Sequence, residues 1–454
     1  MISKLALAVL FQLLCLESTF EITVAFSPTV VVLGGAGKIG TAAATHLLRR
    51  VPEAEIILVG RRENGGKGAT EEVLKSCPNG KISYTNVETV WRRSTKLVDI
   101  INNADCVIHT AGPYLDQDPI PLELAIESQR CKAYVDVSDP LPFLEKSLLL
   151  DLEAKASNTT ALLAAGAFPG MSNVLAVEAA SKLKGPVNDI RFNYFTAGLG
   201  GSGVLNLYIT NLGFGEPMVQ YEEGKLRFFK ELSGLLLGRV DFFLPNNNNK
   251  DNELAKERVG SQTVFAWPFP EAATVAKVLK ARGNTYAAMG TAPEIWNDML
   301  GLLVNVVPRP WWQNKKFSKF MADFSEPLVL ATDLFLKSTG TGERHAMRVD
   351  VTEINESDGG VSIVQAHDSF RQCVGQSCAE FAIDILLQGN SDDAGVYLPE
   401  QRYSDDTKRR HIIEKLTSTP GTFCYTGAVS LQEESSPKLP TNWFEAIEQA
   451  NRDE

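Results

Sequence analysis

Thr29–Leu33, a run of five residues reading TVVVL, leads directly into Gly34-Gly35-Ala36-Gly37-Lys38-Ile39-Gly40 and then into a helix-like stretch over 41–50. Nothing else in this 454-residue chain limits its fold so strongly. A β-branched apolar run suits a strand buried on both faces. Gly35, Gly37 and Gly40 make G-x-G-x-x-G between a strand and a helix, the context in which the pattern marks a dinucleotide site. Gly35 is expected to permit the tight turn. Gly37, without a Cβ, lets backbone amides approach a pyrophosphate, and Gly40 lets the helix pack close to the strand. The binding loop is therefore read as Gly35, Ala36, Gly37, Lys38, Ile39 and Gly40. The helix N-terminus adds free amides and a partial positive charge.

The chain then alternates. A second strand over 55–59 ends in Gly60-Arg61-Arg62. An NAD site usually places an acid near this point to bond the ribose 2′-hydroxyl. Two guanidiniums and no acid suit a 2′-phosphate instead, because arginine binds phosphate oxygens bidentately. The cofactor expected is NADP(H), with Arg61 and Arg62 on that phosphate. A third buried strand over 105–109 runs into Ala111, Gly112 and Pro113, which should bring backbone against the cofactor. A helix over 120–130, a strand over 133–137, a helix over about 143–156 and a strand over 161–165 follow. This order predicts an α/β, doubly wound parallel sheet.

The balance of charges excludes other classes. A net charge of −11 repels phosphate backbones, so nucleic acid is not an expected partner. Seven cysteines without a CxxC pair argue against a zinc ribbon and offer no disulfide framework.

The segments VVVLGGAGKIG, VGRR, VIHTAGPY, KAYVDVSD and AAGAFPGMSN, in this order and spacing, resemble the saccharopine dehydrogenase-like NADP-binding family, most closely its plastid-type plant and algal members. Gly395–Glu400, GVYLPE, resembles that family's ending, so the likeness covers roughly residues 29–400. The resemblance implies a Rossmann domain, a second α/β domain inserted before a returning C-terminal helix, and oxidation or reduction with NADP(H). It implies no particular substrate. No cluster of arginine and lysine stands out that would hold the carboxylates of saccharopine.

The domains expected are a targeting segment over 1–25, a Rossmann domain over 28–168, a second α/β domain over 169–367 and a returning helix with a C-terminal segment over 368–454. Lys4, the apolar run 5–16 and Ala25 read as a signal-type presequence. The junction Val24-Ala25-Phe26-Ser27-Pro28 resembles the Ala-Phe motif of two-part plastid presequences, with the ER or secretory route as the alternative. The second domain, expected to bind substrate or to form a homodimer, carries a mixed or antiparallel sheet. Its strands are read over 190–195, 344–354 and 360–366, with one face of the first strand wet or covered differently. A second glycine run over 198–203 is read as a cleft loop, and a helix over 173–183 as capped by Ser172 or Asn173. Apolar residues over 299–307, then Trp311, Trp312, Lys315, Lys316 and Phe317, suggest contact with a membrane surface.

Hydride transfer belongs to the cofactor; the protein supplies position and a proton. His109, at the end of its strand, and Tyr114, just past the turn, are the catalytic candidates. Asp136 and Asp139 straddle a strand end as caps. The function expected is an NADP(H)-dependent oxidoreductase acting on a small or lipid-like metabolite. The alternative is a protein that binds NADP(H) without turning it over, as a redox sensor.

Overall fold

The computed structural model describes residues 27–431 except 199–202, 223–224, 230–233, 235, 246, 339–341, 355–358 and 389–392. The targeting segment with its junction at Phe26 and the centre of the second glycine run lie outside the described residues.

The Rossmann sheet is built from β1 (Thr29–Leu33), β2 (Glu55–Gly60), β3 (Lys81–Asn86), β4 (Cys106–His109), β5 (Ala133–Asp136) and β6 (Thr160–Leu162). All pair in parallel, in the order 3-2-1-4-5-6. That order reverses between β1 and β4, and a crevice opens at such a switch point beyond the strand C-termini. The expected parallel strands are thus present, with adjusted ends. The helix predicted over 143–156 is two, Leu141–Leu148 and Asp151–Ser157. The strand predicted over 161–165 ends at Leu162, because Ala164 takes a positive φ of 53° that breaks the extended run.

The second sheet is mixed. It contains β7 (Val187–Ala197), β8 (Met218–Glu222), β9 (Lys225–Phe229), β10 (Leu236–Asp241), β11 (Ser261–Ala266), β12 (Thr285–Ala292), β13 (Arg344–Glu353) and β14 (Gly360–His367). β7 runs parallel to β12 and antiparallel to β13. Of the two readings of this strand's second face, wet or covered differently, the structure shows the covered one. Ile190, Phe192 and Tyr194 face one apolar core, and Phe195 and Ala197 face another. The polar Asn193 is buried between them, so the alternation separates two covered faces rather than core from water. After residue 368 the chain serves both sheets. β15 (Gly395–Tyr397) extends the Rossmann sheet beside β6, while β16 (Thr422–Tyr425) and β17 (Val429–Leu431) pair with β14.

The returning helix, Phe370–Gln388, packs on the helix that follows the glycine loop, Lys38–Arg50. Gly375 makes the crossing close: a Cβ there would stand 2.7 Å from Ala42 Cβ. One turn further on, the buried Glu380 accepts from Arg50 Nε at 2.8 Å and pairs with His46 Nε2 at 2.6 Å. Burial alone would raise the Glu380 carboxyl, but these two partners outweigh it and hold it below its ordinary value. Phe168 stacks on Tyr194 at 4.1 Å and on Phe370 at 4.9 Å, which continues the core from one sheet to the other. Trp312 is buried, and Lys315 and Lys319 pair with Asp116 and Asp323. Among the described residues no helix is long and apolar enough to cross a membrane.

Candidate active site at the strand ends

The glycine turn is held by backbone bonds. Gly34 N–H donates to Val59 O at 2.9 Å, and Gly37 N–H to Gly34 O at 2.8 Å. The left-handed residue is Gly34, with φ +78°, rather than Gly35. A Cβ on Gly34 would meet Ala111 N at 2.7 Å, so β4's exit is pressed against the turn. A Cβ on Gly40 would fall 2.6 Å from Gly34 O and 2.9 Å from Thr110 Oγ1. Thr110 in turn donates from both N and Oγ1 to Leu33 O. The glycine loop that carries Gly35, Ala36, Gly37, Lys38, Ile39 and Gly40 is thereby packed against Thr110 and Ala111, the residues that lead into Gly112 and Pro113. The helix Lys38–Arg50 starts at Gly37 with no side-chain cap, which leaves its first amides for an anion. This bare, glycine-cleared helix start fits a dinucleotide pyrophosphate.

Arg61 and Arg62 are exposed at the end of β2. Asn86 Nδ2 donates to Arg61 O at 2.7 Å, and Tyr84 Oη to Arg62 O at 2.9 Å. The backbone is pinned while both guanidiniums stay unpaired among the described residues. Arg62 is the N-cap residue of the helix Glu63–Ser76 and, with Glu63, Asn64 and Gly65, lines a shallow hollow. The Gly60 and Gly65 backbones lie near Ala36 of the glycine loop.

His109 and Tyr114 stand behind the crevice, not on its wall. His109 is fully buried, and burial lowers its pKa to about 3, so the ring is neutral. Its Nδ1 lies 3.0 Å from Tyr134 Oη, and Trp91 tilts against its ring. Tyr114 Oη donates to His109 O at 2.5 Å. Asp136 is a local cap, accepting from Ser138 N and Oγ and from Ala164 N.

The crevice itself is walled on the Rossmann side by Pro113, Leu115 and Asp139. On the other side it is walled by Glu216, Trp267 and Phe269 of the second domain. Burial and the nearby Glu216 push the Asp139 carboxyl up to about 7. Burial and Asp116 raise Glu216. Behind them Glu271 is completely buried and accepts from Tyr194 Oη at 2.5 Å. Burial lifts its carboxyl to about 8. Glu216 and Glu271 were not legible in the sequence, since neither sits in a motif and only the fold brings Glu216 to the crevice wall and Glu271 behind it. The helix start expected to be capped by Ser172 or Asn173 is filled by the protein's own groups. The helix begins at Met171, and the N–H groups of Met171, Ser172 and Asn173 bond Gly166, Ala167 and Gly170 carbonyls. Asn173 Oδ1 accepts from Gly170 N–H at 2.9 Å.

Glu271 makes a prediction about stability. Unfolded, it releases its proton near the ordinary glutamate value; folded, it keeps it to about 8. The native state binds more protons in between, so stability falls as pH rises through that window. Glu271's share is about 2 kcal/mol between pH 6 and 7.5. Glu271→Gln should remove that share in denaturant titrations at the two pH values. An unchanged pH slope would show that Glu271 ionises normally.

The parallel order, the glycine turn and the crevice at the switch point define an NAD(P)-type Rossmann protein with a second mixed-sheet domain. Residues 30–118 match the NAD dependent epimerase/dehydratase family. No curated protein matches the chain. Among solved structures, the chain is similar to AtPrR2 in apo form at 15% identity and TM-score 0.24, covering 38% of this chain. That match spans 59% of the length of AtPrR2. It is also similar to GenD2 from gentamicin A biosynthesis in complex with NAD, at 13% identity and TM-score 0.35, covering 87% of this chain and 93% of that one. A third is a meso-dapdh mutant with DAP from Clostridium tetani E88, at 11% identity and TM-score 0.40, covering 84% and 97%.

Proposed function

We propose that the protein is an NADP(H)-dependent oxidoreductase of the saccharopine dehydrogenase-like type, acting on a small or lipid-like metabolite. The observation that carries this reading is the glycine-cleared turn. Its uncapped helix start packs against Thr110 and Ala111, and Pro113, two residues further along the chain, lines a crevice that the second domain walls from the other side. The bound cofactor supplies or accepts hydride; the chain's own residues bind, orient and move a proton. Arg61 and Arg62 favour the 2′-phosphate. Asp139 and Glu216 are the titratable groups on the crevice wall, and the Asp139 carboxyl, near 7, exchanges a proton readily at neutral pH.

The test is consumption of NADPH by the purified protein in the presence of fractionated metabolites, followed by nicotinamide absorbance. Turnover is expected, and Asp139→Asn should lower it roughly hundredfold while leaving NADPH affinity intact. NADPH that binds and stays reduced with every fraction would overturn the enzyme reading in favour of a sensor.

A further inference from the structure

The second domain holds a partly open cavity of about 140 Å³ between its sheet and the helices Gly203–Gly213, Glu294–Val306 and Lys315–Ser338. Phe214, Phe265, Trp267, Trp296, Leu303 and Met321 supply much of its apolar wall. Most of the polar side chains on the wall are already committed. Asn297 Oδ1 accepts from Thr291 N and Oγ1, and its Nδ2 donates to Thr291 O. Asn211 Nδ2 donates to Ser318 O. Ser325 and Thr332 donate their hydroxyls to carbonyls of their own helix. A polar ligand in this space therefore gains little from the wall and loses its hydration. An apolar space of this size accepts a body about as large as benzene.

The cavity adjoins the crevice. Trp267 lines both spaces. Gly213 lines the crevice and Phe214 the cavity, with the Phe214 ring edge-on to Trp267 at 5.2 Å. A Cβ on Gly213 would stand 2.7 Å from Trp267 Cζ2, so Gly213 packs directly on the indole that borders both spaces.

We infer that the second-domain cavity holds the apolar portion of the substrate, a hydrocarbon tail or ring of about six carbons, while its polar reacting end lies across Trp267 in the crevice. This rests on the proposed oxidoreductase reading for the identity of the ligand as substrate. It does not rest on it for the existence of the site.

The test uses the full chain, with 1-hexanol as the apolar probe and tryptophan emission as the readout, because Trp267 and Trp296 border the space. Saturable binding of 1-hexanol is expected, with hexane-1,6-diol binding at least tenfold more weakly because its second hydroxyl would enter the apolar end. Gly301→Leu should fill the cavity. Its Cβ is accommodated at 3.4 Å from Phe265 Cε1, and the change favours the helix. Hexanol affinity should drop at least tenfold in this variant, with NADPH affinity unchanged. The diol comparison requires no variant, so it decides the question even if Gly301→Leu fails to fold. The inference is overturned if hexanol gives no saturable response, if the diol binds equally well, or if folded Gly301→Leu keeps full hexanol affinity. Hexanol binding without NADPH binding would instead support the cavity and sink the oxidoreductase reading.

Discussion

Gly37→Val is expected to lower NADPH affinity by roughly 10²–10⁴-fold while the protein stays folded. Gly37 has φ −85° and ψ 163°, an extended conformation open to any residue. A Cβ there meets only Gly34 O, at 3.1 Å, a contact relieved by a shift of a few tenths of an ångström. The branched side chain would, however, stand at the exposed start of the helix Lys38–Arg50, where pyrophosphate oxygens must approach the amides. Losing two charge-assisted hydrogen bonds at about 1.5–3 kcal/mol each gives the stated range. Gly40→Val should behave differently. Its Cβ would lie 2.6 Å from backbone at Gly34, so the strand–helix packing itself would give way and thermal stability would fall. Titration of nicotinamide fluorescence, with a melting curve for each variant, separates the two. Unchanged NADPH binding by Gly37→Val would remove this turn from the site.

Replacing Arg61 and Arg62 together by alanine is expected to erase most of a preference for NADPH over NADH of about a hundredfold. A 2′-phosphate carries up to two negative charges, and two charge-assisted bonds at the lower end of their range supply about 3 kcal/mol before salt screening. The structure adds that the guanidiniums are unpaired among the described residues, while Tyr84 and Asn86 hold the backbone that carries them. NADH binding should hardly change in the double variant, because NADH has no phosphate at that position. Both dissociation constants should be measured at one fixed salt concentration. An intact protein that binds NADH as tightly as NADPH would contradict this account. Glu63, the first residue of the helix Glu63–Ser76, would then be the partner for a ribose hydroxyl.

The Rossmann half was legible because its signals are local. A β-branched run, a glycine turn and a helix occupy only the residues 29–50, and each element follows from sterics of neighbouring residues. The position of Arg61 and Arg62 at the end of β2 was legible for the same reason, since a strand end places them at a known distance from the turn. Even there, the residue that needs positive φ is Gly34 and not Gly35, a one-residue distinction that spacing does not resolve.

Where the outcome depended on which surfaces meet, local pattern was insufficient. His109 lies at the end of β4 as expected, but whether a strand-end side chain faces the crevice or the core is decided by Trp91, Tyr114 and Tyr134 packing around it. The alternation of β7 left its second face either wet or covered differently, because sequence cannot show that a second layer covers it. Asp139, Glu216 and Glu271 lie far apart in the chain, and their raised carboxyls come from shared burial, a property no single segment possesses. The chain by itself determined that a dinucleotide-type turn exists and which charges stand beside it. Tertiary structure alone decided which acids reach the crevice and which histidine is lost to the core. It also decided where an apolar cavity opens, because desolvation and enclosure arise only when distant segments pack together.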